Sequence, residues 1–283
     1  MNDAARDGYT LAMGQIRVEG GVPSANLSRA ADRIREAAEK GARIVVLPEC
    51  LDLGWTHPAA REHAKPIPGA YSDVLCQAAA TVGIWVAAGL TERLGDCIYN
   101  AAVLIASDGA LVLKHHKINE LTMAHDLYAI GQELRVVQTP LGAIGLAICA
   151  DNFPDSLDIG HALARMGAQL ILSPSAWAVR PEHDNTREPY GDMWRSSYTT
   201  LAKAHDLTVV GVSNVGPMLQ GPWAGRRCIG CSLAVGPGGE ILAAGPYGAD
   251  AEALVLVPVA PVPRTARGTA IADMLRAKGM QGG

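Results

Sequence analysis

The chain has 283 residues, 49% of them hydrophobic and 18% charged, with a formal net charge of −4. A nucleic-acid footprint needs a basic patch or stripe, and the densest basic stretch here is only Lys114-His115-His116-Lys117. No window approaches the roughly 18 apolar residues of a membrane span, and Met1 to Thr10 lacks the apolar core of a signal peptide, so the expectation is a cytoplasmic protein with neither nucleic acid nor membrane as partner.

In chain order, Ser24 is placed to cap a helix. Leu27, Ala30, Ala31, Ile34, Ala37 and Ala38 recur in it at helical spacing, and Gly41 ends it. Ile44-Val-Val-Leu47 reads as a strand buried on both faces, running into Pro48-Glu49. Ile84 to Gly89 reads as another strand. Ala101 to Ala106 and Ala110 to His116 flank Ser107-Asp108-Gly109, a hairpin signal. Val136 to Gln138 and Ala143 to Ile148 make a second hairpin around Pro140-Leu-Gly142. A helix over Asp158 to Met166 leads into the strand 167–174. A further helix spans about Tyr190 to His205, then a strand Thr208 to Val212, a hairpin at Gly236-Pro-Gly-Gly239 and a strand Leu254 to Val257.

Gly41-Ala-Arg-Ile-Val-Val-Leu-Pro48 and Gly167-Ala-Gln-Leu-Ile-Leu-Ser-Pro174 share glycine, alanine, apolar run and proline at identical spacing. This predicts two similar helix–strand units, the halves of one pseudo-symmetric α/β domain of mixed sheets covered by helices. Residues 1–263 are read as that single domain, and 264–283 as a tail or an arm against a partner.

Six cysteines in a chain without a secretion signal are read as reduced thiols. Cys228-Ile-Gly-Cys231 has no second ligand pair for zinc and precedes a strand rather than a helix, so it is read as two small core or surface thiols.

Three apolar strands end on reactive residues: Glu49, Lys117 and Cys149. Active sites of α/β folds gather at such ends. Brought together, the three form a coherent set. An ammonium favours the thiolate and then the oxyanion formed when sulfur attacks a carbonyl. A carboxylate takes the thiol proton, gives it to a leaving amine, and later activates water against the thioester. No metal or cofactor is needed. Each residue also has a plainer reading: Glu49 as a charge at a strand exit, Cys149 as core filler, and Lys114 as the cation in place of Lys117. Positions 114 and 117 face opposite sides of a strand, so at most one enters such a site.

The order Leu-Pro-Glu49, His-His-Lys117-Ile, Ile-Cys149-Ala-Asp resembles the nitrilase superfamily of carbon–nitrogen hydrolases. Met13-Gly-Gln-Ile16 with Asn26-Leu27, Ser213-Asn214, Gly230-Cys-Ser232 and Pro237-Gly-Gly-Glu240 resemble its other landmarks, so the likeness runs from about residue 10 to about 258. The resemblance implies an α-β-β-α sandwich, a Glu-Lys-Cys triad of Glu49 (base), Lys117 (oxyanion partner) and Cys149 (nucleophile), and homodimers or multiples of them packed helix layer on helix layer.

Three departures bear on function. His115-His116 and Asn119-Glu120 replace the Tyr-Arg and His-Leu that flank the lysine in many members. The further Glu of many members falls on Ala124 here, leaving Glu120 or His125 for its part. Cys149-Ala150-Asp151 is closer to amidase-like branches than to the Cys-Trp-Glu of nitrilases, and Asn152 and Phe153 stand where carbamoyl-amino-acid hydrolases carry an arginine pair, so no carboxylate clamp is evident there. Asn152, Phe153, Trp177 and Trp55 are the pocket candidates. The resulting expectation is hydrolysis of a small linear amide through a cysteine thioester. The alternatives are a nitrilase, an amide-forming acyltransferase, or a silent binding protein on the same fold. A papain-like Cys-His site has no local signature here, and metal catalysis has no HxH, HExxH or paired acidic motif.

Overall fold

The computed structural model describes residues 8–263 together with 278–279. The proposed C-terminal arm, 264–283, thus falls almost wholly outside the described residues. In chain order the elements are β1 (Tyr9–Gln15), α1 (Pro23–Glu39), β2 (Ile44–Val46), α2 (Ala60–His63), α3 (Ala70–Val82), β3 (Trp85–Leu94), β4 (Cys97–Ile105), β5 (Leu111–His116), β6 (Val136–Thr139), β7 (Gly142–Leu146), α4 (Leu157–Met166), β8 (Leu170–Ser175), β9 (Ala178–Val179), α5 (Asp192–His205), β10 (Thr208–Ser213), β11 (Val215–Pro217), β12 (Arg227–Ile229), β13 (Leu233–Val235), β14 (Ile241–Ala244) and β15 (Ala253–Val259).

Two six-stranded sheets carry the fold, in the orders β15-β1-β2-β3-β4-β5 and β14-β13-β10-β8-β7-β6. Helices α1 and α3 pack on the first, α4 and α5 on the second, and the sheets face each other. The architecture is an α-β-β-α sandwich. Strand alternation builds it: Ile44 and Val46 point into the core between the sheets, while Val45 and Leu47 join the core beneath α1 and α3. A third, three-stranded sheet, β11-β12-β9, sits beside them.

The repeated segments occupy equivalent places. β2 lies parallel between β1 and β3, and β8 lies parallel between β7 and β10. Arg43 and Gln169, equivalent in the repeat, make equivalent bonds. The Arg43 N–H donates to Thr10 O and its carbonyl accepts from Trp85 N; the Gln169 N–H donates to Ala143 O and its carbonyl accepts from Thr208 N. The units touch where the strands end, the Glu49 N–H donating to Ser175 O at 3.2 Å.

One local reading changes and one element is added. α1 starts one residue before Ser24, with Pro23 in its first turn and no side-chain cap; proline suits that position because its missing N–H has no helical partner to lose. Helix α3, between the strands read at 44–47 and 84–89, is an element the sequence pattern does not single out. Only Ser72, Leu75 and Ala79 of its thirteen residues are buried, so its apolar stripe is too thin to register in the sequence.

Candidate active site

Glu49, Lys117 and Cys149 leave the ends of β2, β5 and β7 and converge. Lys117 Nζ donates to Glu49 Oε1 at 2.9 Å and lies 3.6 Å from Glu120 Oε2, with both Lys117 and Glu49 1% exposed. Lys114, on the opposite face of β5, pairs instead with Glu92, so the cation in the site is Lys117. Glu49 is fixed a second time by Asn100 Nδ2, which donates to Oε1 at 2.6 Å. Asn100 also accepts the Lys117 N–H on its backbone carbonyl, at 2.9 Å, and faces the Cys50 thiol with Oδ1, at 3.4 Å. The strand beside Glu49 approaches so closely that a Cβ on Gly89 would lie 2.5 Å from Glu49 Cα; only glycine fits there.

Cys149 opens a short 3₁₀ turn, Cys149–Asn152, at φ +42°. That is the left-handed region, which a residue with a Cβ adopts only under constraint. The constraint is visible. Cys149 N–H donates to Ser173 Oγ at 3.1 Å. Asp151, fully buried, accepts from Ile148 N at 2.8 Å with Oδ2, and from Ile118 N at 3.0 Å and Asn119 N at 2.8 Å with Oδ1. His115 Nε2 lies 2.9 Å from Oδ2. One carboxylate therefore staples the turn that carries Cys149 to the loop that carries Lys117. Burial works against its charge, but His115 and these N–H groups prevail and hold its carboxyl below the usual range.

The electrostatics define a resting state. Burial first, then the Glu49 carboxylate, push the Cys149 thiol well above its ordinary range; the Lys117 charge and the Ala176 N–H pull the other way without prevailing. The sulfur therefore holds its proton at neutral pH and needs a base to lose it. Burial disfavours the Lys117 ammonium too, yet the Glu120 and Glu49 carboxylates outweigh it and keep lysine charged. Glu120 is pushed up to about 7, chiefly by burial and further by Glu49 and Asp151, against the pull of Lys117.

A cavity of about 70 Å³ opens onto Glu49, Lys117 and Cys149. Its wall takes four of the five tryptophans of the chain, Trp55, Trp177, Trp194 and Trp223, with Tyr190 and the only phenylalanine, Phe153. Aromatic residues make up 5% of the sequence, so this clustering marks the cavity as a built feature. Trp177 stacks on Trp194 at 4.7 Å and Trp55 meets Trp223 edge-on at 4.8 Å.

Of the residues singled out from the sequence, Glu49, Lys117, Cys149 and Glu120 are brought together, and Trp55, Phe153 and Trp177 line the cavity. Asn152 does not. It is fully buried behind the turn, its Nδ2 donating to Ser173 Oγ at 3.0 Å, because the 3₁₀ turn carries position 152 back towards β8. Asn100, Ser173, Tyr190, Trp194 and Trp223 had not been singled out. Asp151 had been noticed only as part of Cys-Ala-Asp. Among the described residues no helix is long and apolar enough to cross a membrane, and no group of three His, Cys, Asp or Glu side chains is placed to hold a metal ion. The described cysteines are all free thiols, Cys228 buried and Cys231 half-buried.

Comparison with known proteins gives the family and the fold. The profile of the carbon-nitrogen hydrolase family matches residues 10–265. The omega-amidase NIT2 of Danio rerio is 31% identical over 180 residues, covering 60% of this chain and 64% of that protein, so the match spans just under two thirds of that relative. A nitrilase of Pyrococcus abyssi is 30% identical over 226 residues, 78% of each chain. Among solved structures, an amidase from Nesterenkonia sp. superposes with a TM-score of 0.75 at 22% identity, over 90% of this chain and 92% of that one. A carbon-nitrogen hydrolase from Helicobacter pylori G27 gives 0.75 at 21%, over 89% of each.

Proposed function

The chain belongs to the carbon-nitrogen hydrolase family, and from that premise we propose that it hydrolyses the C–N bond of a small linear amide through a thioester on Cys149. The observation that carries the reading is geometric: the Cys149 thiol, the Glu49 carboxyl group and the Lys117 amine stand together at the wall of one cavity, with Lys117 bonded to Glu49. Glu49 takes the Cys149 proton as sulfur attacks the carbonyl carbon. Lys117, kept charged by its two carboxylates, faces the oxyanion that forms. Glu49 then gives its proton to the nitrogen, the C–N bond breaks, and ammonia or an amine leaves. Water, deprotonated by Glu49, opens the thioester, releasing the acid and restoring the thiol. Glu120 acts behind Lys117, in the part assigned in many members to a glutamate further along the loop. Homodimers, or multiples of them, in the cytoplasm complete the reading; light scattering of the purified chain tests the assembly.

Ammonia release from primary amides, N-carbamoyl compounds and nitriles, run beside Cys149→Ala, tests the chemistry. Amide turnover that vanishes in the variant is the expected result, and turnover retained without the thiol defeats the mechanism. A nitrile substrate is the second reading, favoured by the Pyrococcus abyssi relative matched over 78% of its length. Product formation from nitriles but not amides would select it. Transfer to an added amine in place of water would select the acyltransferase.

A further inference from the structure

The wall of the cavity says more about the substrate than the triad does. Resting on the hydrolase reading above, we infer that the site takes amides of short, uncharged, apolar acyl groups and rejects acyl groups that end in a carboxylate.

Size comes first. A dry apolar cavity of about 150 Å³ holds one benzene, six heavy atoms. The cavity here is about 70 Å³, under half of that, so the acyl group beyond the carbonyl has room for only a few heavy atoms, well short of a phenyl ring. Phe153, Trp177 and Trp194 form one packed aromatic cluster and Trp55 and Trp223 another. Packed rings of this kind do not yield volume cheaply.

Charge comes second. Among the described residues Lys117 is the only cationic side chain on the wall. It is already engaged, 2.9 Å from Glu49 Oε1 and 3.6 Å from Glu120 Oε2. Arg226 stacks on the Trp223 ring at 4.2 Å, and Arg195 lines a separate small cavity with Trp177 and Trp194, so neither stands on this wall. A carboxylate on the substrate would leave water for an aromatic wall with no free cation, and would meet the negative charge of Glu49. An uncharged alkyl group meets no such obstacle and gains the contact of the rings.

A matched pair of amides tests this. Malonamate and 3-methylbutanamide have the same four-heavy-atom skeleton beyond the carbonyl and differ in the terminal carboxylate. We expect kcat/KM for ammonia release to favour 3-methylbutanamide by at least about 100-fold, and phenylacetamide to fall at least about tenfold below it. Equal turnover of malonamate would overturn the proposal while leaving the hydrolase reading intact. No ammonia from either amide would overturn both. Met193→Arg supplies the missing cation at a half-exposed position on the cavity wall. It should move the ratio towards malonamate at least about tenfold; an unchanged ratio would show that charge on the wall does not set the selection.

Discussion

The two repeated helix–strand units end differently, and the difference divides the labour of the site. In the first, Pro48 is followed by Glu49, a carboxylate that meets Lys117, Asn100 and the Cys149 thiol. In the second, Pro174 is followed by Ser175, whose hydroxyl turns back to Ser173 O at 3.1 Å, while Ser173 Oγ accepts the Cys149 N–H. One scaffold, used twice, supplies charge at one exit and neutral anchoring at the other. Two charged exits so close together would repel each other in a dry site; a single charge flanked by hydroxyls avoids that.

The sharpest test exchanges like for like. Glu49→Gln should lower kcat by about 10³-fold, the range for loss of a general base, whereas Ser175→Ala at the equivalent position should cost less than about tenfold. Both are read by steady-state kinetics with circular dichroism as the folding control. If the two costs were equal, the division of labour would be wrong.

Asp151→Asn attacks the staple between the turn that carries Cys149 and the loop that carries Lys117. It should destabilise the protein by about 3 kcal/mol at pH 7, since it breaks a buried, multiply bonded charge. The sign with pH follows from the depressed carboxyl. The stabilisation is present above the ordinary aspartate pKa of about 4 and is lost as pH falls through the lower folded value. Urea melts of both proteins from pH 7 down to pH 3 should therefore converge. A gap independent of pH would mean that the charge of Asp151 is not what matters.

Asn100→Ala removes a hydrogen bond from the charged exit without touching the anchoring one. A bond to a charged group is worth about 2 kcal/mol, so kcat should fall about 30-fold. The midpoint of Cys149 alkylation with pH should also shift, which loss of packing alone would not produce.

The smallest effect concerns Glu120. Its folded value, about 7, lies above the ordinary glutamate value, so its ionisation weakens the fold as pH rises from about 4.5 through 7. Relative to the wild type, Glu120→Gln should gain about 2 kcal/mol between pH 5 and pH 8, measured by denaturant midpoints. It should also remove any inflection near pH 7 from the rate profile.

What the sequence disclosed follows from where signals are local. Apolar runs ending in Glu49, Lys117 and Cys149 are contiguous, and so is the repeat that places two of the strands; the units emerged with their central strands in matching registers. Asp151 was in plain view, but its partners Ile118 and Asn119 lie more than thirty residues away. Asn100 sits within a strand among ordinary neighbours and has significance only through what faces it. The aromatic wall is drawn from separate loops and from α5, so no spacing announces it. The β11-β12-β9 sheet escaped because its strands are two or three residues long.

The left-handed backbone at Cys149 carries an energetic corollary. Non-glycine residues held at such φ values cost of order 1–3 kcal/mol each, so a glycine at position 149 would relieve strain that the native fold bears. On the proposed mechanism, that strain is borne to keep a thiol, rather than a glycine, on the wall of the cavity.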